Sequence, residues 1–286
     1  MNIINNKYEI KKLISKGSFG KVYEVINNIT GDKYVAKIED KSKNQDTLIH
    51  EARILHHLNS CKNISKVIWY GNDSDKNYLV MNNLGKTLTH MYKKYGTFSL
   101  KQINILTLHA LKILEDIHNK GVLHRDIKPE NFLIDKKNNL YIIDFGLSKI
   151  YIKNNEHYPY CENKSFVGTT RYASINVHNN IAYSRRDDLE SLFYVMLYLY
   201  LGKLPWQGLN ISNKQEQKKA ICKIKEKIKM LEIWNNIPNE YRIFYTNIKG
   251  LKFDEKPNYK ILKSLINLNF KDQNIKNDNK YDWLKK

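Results

Sequence analysis

A polar, turn-forming stretch set between two apolar patterns constrains this chain more than any other feature in it. The stretch is His124-Arg125-Asp126-Ile127-Lys128-Pro129-Glu130-Asn131. It follows a segment, Leu100 to His118, in which Ile103, Leu106, Ala110, Leu111, Leu114 and Ile117 recur at helical spacing. The apolar run Tyr141-Ile142-Ile143 then reads as a strand, and it leads into Asp144-Phe145-Gly146, thirteen residues after Asn131. Asp126 and Asn131 thus stand five apart in one loop, with Lys128 between them and a second aspartate at the end of a strand. A carboxylate and an amide carbonyl are hard oxygen donors of the kind Mg²⁺ prefers.

The N-terminal part supplies what such a loop would work on. Tyr8 to Ser15 and Val22 to Ile26 read as strands flanking a glycine turn, and Tyr34 to Ile38 as a third strand. Gly17-Ser18-Phe19-Gly20 lets the backbone approach a phosphate chain closely, although alone it reads equally as a hairpin turn. Lys37, in Val35-Ala36-Lys37-Ile38-Glu39, reads alone as a surface lysine. Fourteen residues later Glu51 falls on the helical pattern Thr47 to Leu58. A strand lysine fixed by a helix glutamate is placed to hold the α- and β-phosphates of a nucleotide. The chemistry that unites these groups is phosphoryl transfer from ATP. Asp126 accepts or orients the proton of the attacking hydroxyl, Lys128 neutralises charge on the moving phosphoryl group, and Asn131 with Asp144 ligates Mg²⁺. A chance loop accounts for any one piece. The set of His-Arg-Asp, the following Lys and Asn, and the later Asp-Phe-Gly matches the protein kinase signature.

From about Tyr8 to Trp283 the chain resembles protein kinases, and within them the casein kinase 1 group. Where the general signature has Ala-Pro-Glu, this chain has Ser174-Ile175-Asn176 after Gly168-Thr169-Thr170-Arg171-Tyr172-Ala173. Ser184-Arg185-Arg186-Asp187-Asp188-Leu189-Glu190-Ser191, Leu204-Pro205-Trp206-Gln207-Gly208-Leu209 and Phe253-Asp254-Glu255-Lys256-Pro257-Asn258-Tyr259 are similar to segments of that group. The vaccinia-related kinases are the nearest rival. The resemblance implies an α+β, bilobal fold: a small β-rich lobe over about 8–81, a hinge at 82–85, and a larger helical lobe over 86–286, all one kinase domain. It implies that Ile14, Ser15, Lys16, Gly17, Ser18, Phe19, Gly20 and Val22 cover the nucleotide. Ile14 and Val22, with Val35, Met81, Leu84, Leu133 and Ile143, sandwich the adenine, with Met81 as gatekeeper. It further implies a serine/threonine enzyme, active without activation-loop phosphorylation, with Arg171 binding an anionic group on acidic or already phosphorylated protein substrates.

The chain departs from the pattern in three places. Ser15 stands where the first loop glycine is expected, and Asn82 replaces an acidic hinge residue. The family's second anion-holding lysine falls on Gln217, with Lys214 and Lys218 beside it. Either a neighbouring basic residue, Lys218 foremost, joins Arg171 in holding the anion, or the preference relaxes from primed toward generic acidic substrates.

Composition narrows the alternatives. A net charge of +19 invites a nucleic-acid reading, yet only six of the 48 basic residues are Arg, and no recognition motif accompanies them. Lysine used heavily together with Asn and Ile fits coding bias on a solvated surface, leaving nucleic acid to non-specific charge. Cys61, Cys161 and Cys222 make neither a metal spacing nor a disulfide framework. The run Leu192 to Leu201 is short of the ~20 residues a membrane helix needs. Asp187 to Leu201 reads as a buried central helix, and Glu216 to Ile233 as one amphipathic, lysine-rich segment. The expectation is an intracellular monomer of the cytoplasm or nucleus. The other reading, a pseudokinase that only binds partners, is opposed by Lys37, Glu51, Asp126, Lys128, Asn131 and Asp144 all being present.

Overall fold

The computed structural model describes residues 3–17, 20–43 and 47–285. Strands β1 (Ile3–Ile4), β2 (Tyr8–Gly17), β3 (Gly20–Asn27) and β4 (Lys33–Asp40) precede helix α1 (Thr47–His57). Strands β5 (Val67–Asn72) and β6 (Lys76–Asn82) follow it. They form one antiparallel sheet in the order β1-β2-β3-β4-β6-β5. Alternation along the strands divides its side chains. Tyr8, Val25, Ala36 and Val80 make a small core on one face, while Leu79 and Met81 join Leu48, Ile54 and Leu55 of α1 in the main core.

Beyond Asn82 the chain becomes helical. β7 (Lys86–Thr87) and α2 (Leu88–Tyr95) lead to α3 (Leu100–Asn119), whose start is fixed by a capping box between Ser99 and Gln102. Short strands β8 (Val122–Leu123), β9 (Phe132–Ile134) and β10 (Leu140–Ile142) bracket the polar loop. β9 pairs with both β7 and β10, and β8 with β11 (Lys149–Ile150). A small hairpin, β12 (Ile152–Lys153) and β13 (Glu156–His157), precedes α4 (Ile175–His178). Helix α5 (Arg185–Leu201) is buried at every residue from Asp187 to Leu197, as its nearly continuous apolar run requires. The chain closes with α6 (Lys214–Glu226), α7 (Glu232–Asn235), α8 (Asn239–Gly250) and α9 (Tyr259–Asp272). The fold is the α+β, two-lobed one that the resemblance implied.

The stretch Glu216 to Ile233 is not one helix. α6 ends at Glu226 and a 3₁₀ turn at Ile228–Met230 follows, because the chain rotates there to bury Ile228 and turns Met230 out, 86% exposed. Among the described residues no helix is long and apolar enough to cross a membrane.

Candidate active site

Strand β4 grips α1 twice. Lys37 and Glu39 lie two apart, so their side chains leave the same face of the strand. Lys37 Nζ donates to Glu51 Oε1 and Oε2 at 2.7 and 2.8 Å, and to Asp144 Oδ1 at 2.8 Å. Glu39, also buried, accepts from the Thr47 hydroxyl, from Leu48 N and from Asn77 Nδ2, the last two at 3.4 Å. The first turn of α1 carries no acidic residue of its own. Glu39 therefore supplies from the strand the negative charge that a helix N-terminus favours. Burial alone would depress the Lys37 ammonium, but the Glu51 and Asp144 carboxylates overcome it and hold it above the ordinary lysine value. Asp144 shows the converse. Burial would raise its carboxyl, and the Lys37 ammonium instead holds it below the usual carboxylate range.

The polar loop is anchored from beneath by α5. Asp188 Oδ2 accepts from His124 N at 2.9 Å, and Oδ1 accepts from Arg125 N and Tyr183 OH, both at 3.0 Å. His118 Nε2 lies 2.8 Å from Asp188 Oδ2. Those bonds matter because Arg125 has φ 68° and Asp144 also has φ 68°, a region that costs a non-glycine residue about 1–3 kcal/mol unless its surroundings over-determine it. At Asp144 the counterpart is the Lys37 bond, with Phe145 fully buried against the edge of His124 at 5.0 Å. Phe145 N donates to Glu51 Oε1 at 3.2 Å, so α1 and the Asp-Phe-Gly turn are held by the same carboxylate.

Each oxygen of the Asp126 carboxylate has a partner. Lys128 Nζ donates to Oδ2 at 2.5 Å and Thr169 Oγ1 to Oδ1 at 2.7 Å. Asn131 Nδ2 donates to the Asp126 carbonyl at 2.9 Å and to Oδ2 at 3.3 Å. Asn131 O accepts from Ile143 N at 2.9 Å, which ties the loop to the residue before Asp144. Gly168 sets the approach of Thr169. It has φ 98°, and a Cβ there would stand 2.5 Å from the Arg125 carbonyl oxygen.

The apolar residues expected around adenine are brought together in pairs by the sheet. Val35 pairs with Met81, Val22 with Lys37, and Ser15 with Val22. Met81, Leu84 and Leu133 are buried, and Ile143 is half-buried next to Asp144. Ile14 is 53% exposed at a register shift in β2, and Ser15, Lys16 and Gly17 are exposed beyond it. Gly20 has φ 135°, and a Cβ there would meet Ile38 O at 2.2 Å. Ser18 and Phe19 lie outside the described residues.

Arg171 and Lys218 have separate neighbours. The Arg171 guanidinium is 5.9 Å from the rings of Tyr172 and Tyr198, whereas Lys218 Nζ sits 3.8 Å over the ring of Phe166. Reading the residues in order missed two features. One is Thr169, whose only signal was its place after Gly168. The other is a cavity of about 480 Å³ lined by Arg125, Lys149 and Lys164 together with Tyr158, Cys161 and Tyr183. Its cations are spread over 39 residues of sequence, from Arg125 to Lys164, and carry no shared spacing signal.

The donor set suits a divalent ion at the nucleotide. Asp144 keeps 29% of its side chain exposed, with one oxygen engaged by Lys37. The Asn131 amide nitrogen is committed to Asp126, which leaves its hard carbonyl oxygen as the end available to a cation. The sequence matches the protein kinase domain over residues 8–272. A strand lysine paired with a helix glutamate, a caged loop aspartate and a match of that extent agree: the chain belongs to the protein kinase family, whose members transfer phosphoryl groups from ATP with a divalent metal.

Proposed function

We propose that this protein is a serine/threonine kinase of the casein kinase 1 type, using Mg²⁺-ATP. The observation that carries the reading is the caging of Asp126 by Lys128, Thr169 and Asn131. Asp126 orients the acceptor hydroxyl and takes its proton as the oxygen attacks. Lys128, already at the carboxylate, stands where negative charge develops on the moving phosphoryl group. Lys37, fixed by Glu51, binds the α- and β-phosphates. Asp144 and Asn131 would hold the Mg²⁺, which would supply positive charge to offset that of the phosphates. Ile14, Val22, Val35, Met81, Leu84, Leu133 and Ile143 would enclose the adenine. A lysine two residues after the catalytic aspartate fits serine/threonine enzymes better than tyrosine enzymes.

The casein kinase 1 assignment is supported by how its distinctive segments interlock. Ser174 Oγ donates to Asp187 Oδ1 at 2.6 Å, Asn176 Nδ2 donates to the same oxygen at 3.0 Å, and Ile175 N donates to Glu190 Oε1 at 2.9 Å. The Ser-Ile-Asn variant and the Arg-Arg-Asp-Asp-Leu-Glu segment thus fit each other. Contacts from the C-terminal part of the chain brace the activation segment, which supports the reading that its phosphorylation is not required. Phe253 packs on His157 at 4.7 Å and on Tyr160 at 5.4 Å, and Arg186 Nη1 donates to Leu251 O at 2.8 Å. The cationic cavity and Arg171 favour acidic or phosphorylated protein substrates. We read the enzyme as acting as a monomer inside the cell, in cytoplasm or nucleus.

The test is a kinase reaction on casein and on a basic protein, with the phosphorylated residues mapped. Phosphoserine and phosphothreonine near acidic residues are expected, unchanged by prior phosphatase treatment of the enzyme. Phosphotyrosine as the main product would overturn the serine/threonine reading. Asp126→Asn should bind ATP and lower kcat by about 10²–10⁴. Equal activity in that variant would remove the catalytic assignment.

A further inference from the structure

We propose that Lys225, on α6 and remote from the nucleotide, is a positioning residue for the protein substrate: its side chain holds the backbone of Thr170–Ala173 in the shape that presents Thr169 to Asp126 and Arg171 to the incoming chain. The proposal rests on the kinase reading above.

Lys225 is fully buried. The Lys225 ammonium donates to Thr170 O at 3.1 Å and to Ala173 O at 2.6 Å, and His178 Nε2 lies 3.2 Å from it and 3.3 Å from Thr170 O, accepting from the lysine or donating to the carbonyl according to its tautomer. The rings of Tyr194 and Trp206 lie 4.8 and 5.0 Å from Nζ. Trp206 Nε1 in turn donates to Arg171 O at 2.8 Å. The carbonyls of Thr170, Arg171 and Ala173 are therefore all oriented by Lys225 or by the indole that its charge rests on. On the other side of the loop, Ala173 N and Tyr172 N donate to Thr169 O, each at 2.9 Å, and Thr169 Oγ1 reaches Asp126. A continuous path runs from the α6 ammonium to the Asp126 carboxylate.

A purely structural role explains this lysine poorly. Burying an ammonium is costly unless it is compensated, and an apolar side chain of similar length would fill the same space without that cost. Glu190, the carboxylate nearest in effect, is engaged with Lys249 at 3.0 Å, with Ile175 N and with Tyr194 OH. What the lysine adds over an apolar residue is the orientation of backbone carbonyls in the loop that meets the substrate.

The arrangement is also sensitive to pH. Burial brings the Lys225 pKa down to about 7, against the opposing charges of Glu190 and Cys222. Below that value the full charge of the ammonium draws the Thr170 and Ala173 carbonyls; above it that charge and one N–H donor are lost. The groups facing it are His178 from α4, Glu190 and Tyr194 from α5, and Cys222 with Glu226 on α6 itself. His178 is held near 3 by burial and by Lys225, and burial raises the Cys222 thiol to about 11, so neither changes charge around neutrality.

The experiment compares wild type with Lys225→Met on an acidic serine peptide at saturating ATP, with nucleotide affinity and amide hydrogen exchange measured alongside. The variant is expected to lose about tenfold in kcat/KM for the peptide while its ATP affinity stays within about twofold. Exchange should quicken over 168–174 and not around Lys37. In wild type, peptide KM should rise as pH passes from about 6.5 to about 8.5, with ATP KM flat. A folded variant with wild-type peptide kinetics and unchanged exchange over 168–174 overturns the proposal, and so does ATP affinity falling in step with peptide affinity. Should the variant not fold, a flat wild-type peptide KM across that pH range overturns it. A wild type inactive on every protein offered would count against the kinase reading, and the exchange comparison would then decide the role of Lys225 by itself.

Discussion

Thr169 and Lys128 divide the two oxygens of Asp126 between them, and at this scale the site is a problem of angles. A carboxylate on a single χ2 torsion turns freely, so the base role proposed for Asp126 asks for both oxygens to be held, as they are here. Thr169→Val removes one partner and keeps the shape. It should lower kcat by between about ten- and a hundredfold with ATP KM unmoved, since small misplacements of a reacting group cost that much. Steady-state kinetics in both substrates check it; a rise in ATP KM with kcat intact would mean that Thr169 serves the nucleotide instead. Asp126, Lys128, Asn131, Asp144, Lys37 and Glu51 were picked out in the sequence because the proposed chemistry asks for those residue types at nearly fixed spacing, and the structure brings their side chains together in two linked groups. Thr169 was not, because a threonine is ordinary in any loop and its bond depends on Gly168 fitting against the Arg125 carbonyl. Asp188 is visible in the sequence as part of a familiar segment, but its work as the acceptor for two loop amides exists only once α5 passes under the loop.

Elements are joined by the same economy of contacts. β4 holds α1 at its N-terminus through Glu39 and at its middle through Lys37, so the helix can neither tilt nor slide without breaking one grip. Glu39→Ala leaves the Thr47 hydroxyl, the Leu48 amide and Asn77 without their acceptor. It should cost about 0.5–2 kcal/mol, the range for a lost helix cap, and raise ATP KM because Glu51 no longer stands firmly against Lys37. Thermal unfolding together with ATP KM is the check, and a loss of stability with ATP KM unchanged would separate the cap from the ion pair. The strands and the helices α1, α3 and α5 were readable from period and apolar content, down to the all-round burial of α5. The division of α6 from α7 was not. The lysine-rich polar face continues across Lys227, and the break is set by Ile228 finding a place in the core, a tertiary fact that no local pattern carries. The distant neighbours of Arg171 and Lys218 were beyond reach for the same reason, since Tyr198 and Phe166 come to them from other segments.

Across the whole molecule, α5 is the element on which the others are hung, and its two adjacent aspartates respond to acid in opposite senses. Asp188 is buried among donors: burial would raise its carboxyl, but His118 and the His124 amide hold it below the ordinary value. A depressed carboxyl contributes stability that is present above its unfolded pKa and lost as pH falls through the folded one. Asp187 has donors too, yet burial prevails and brings its pKa up to about 6. A raised carboxyl contributes most below its unfolded value, near 3.8, and that contribution fades as pH rises through about 6. A shift of that size is worth on the order of 2–3 kcal/mol. The Asp188→Asn penalty in Tm should therefore be small in acid and grow as pH rises to about 4, then level off, whereas the Asp187→Asn penalty should be at its full size below that pH and shrink toward neutrality. Thermal unfolding of wild type and both variants between about pH 3 and 7 measures the two trends. Asp187 joins Ser174 and Asn176 to α5, and Asp188 joins the loop of Asp126 to the same helix. Penalties that ran parallel with pH would mean that one shared environment governs both carboxyls, and the separate anchoring of the substrate side and the catalytic loop on neighbouring residues of α5 would have to be abandoned.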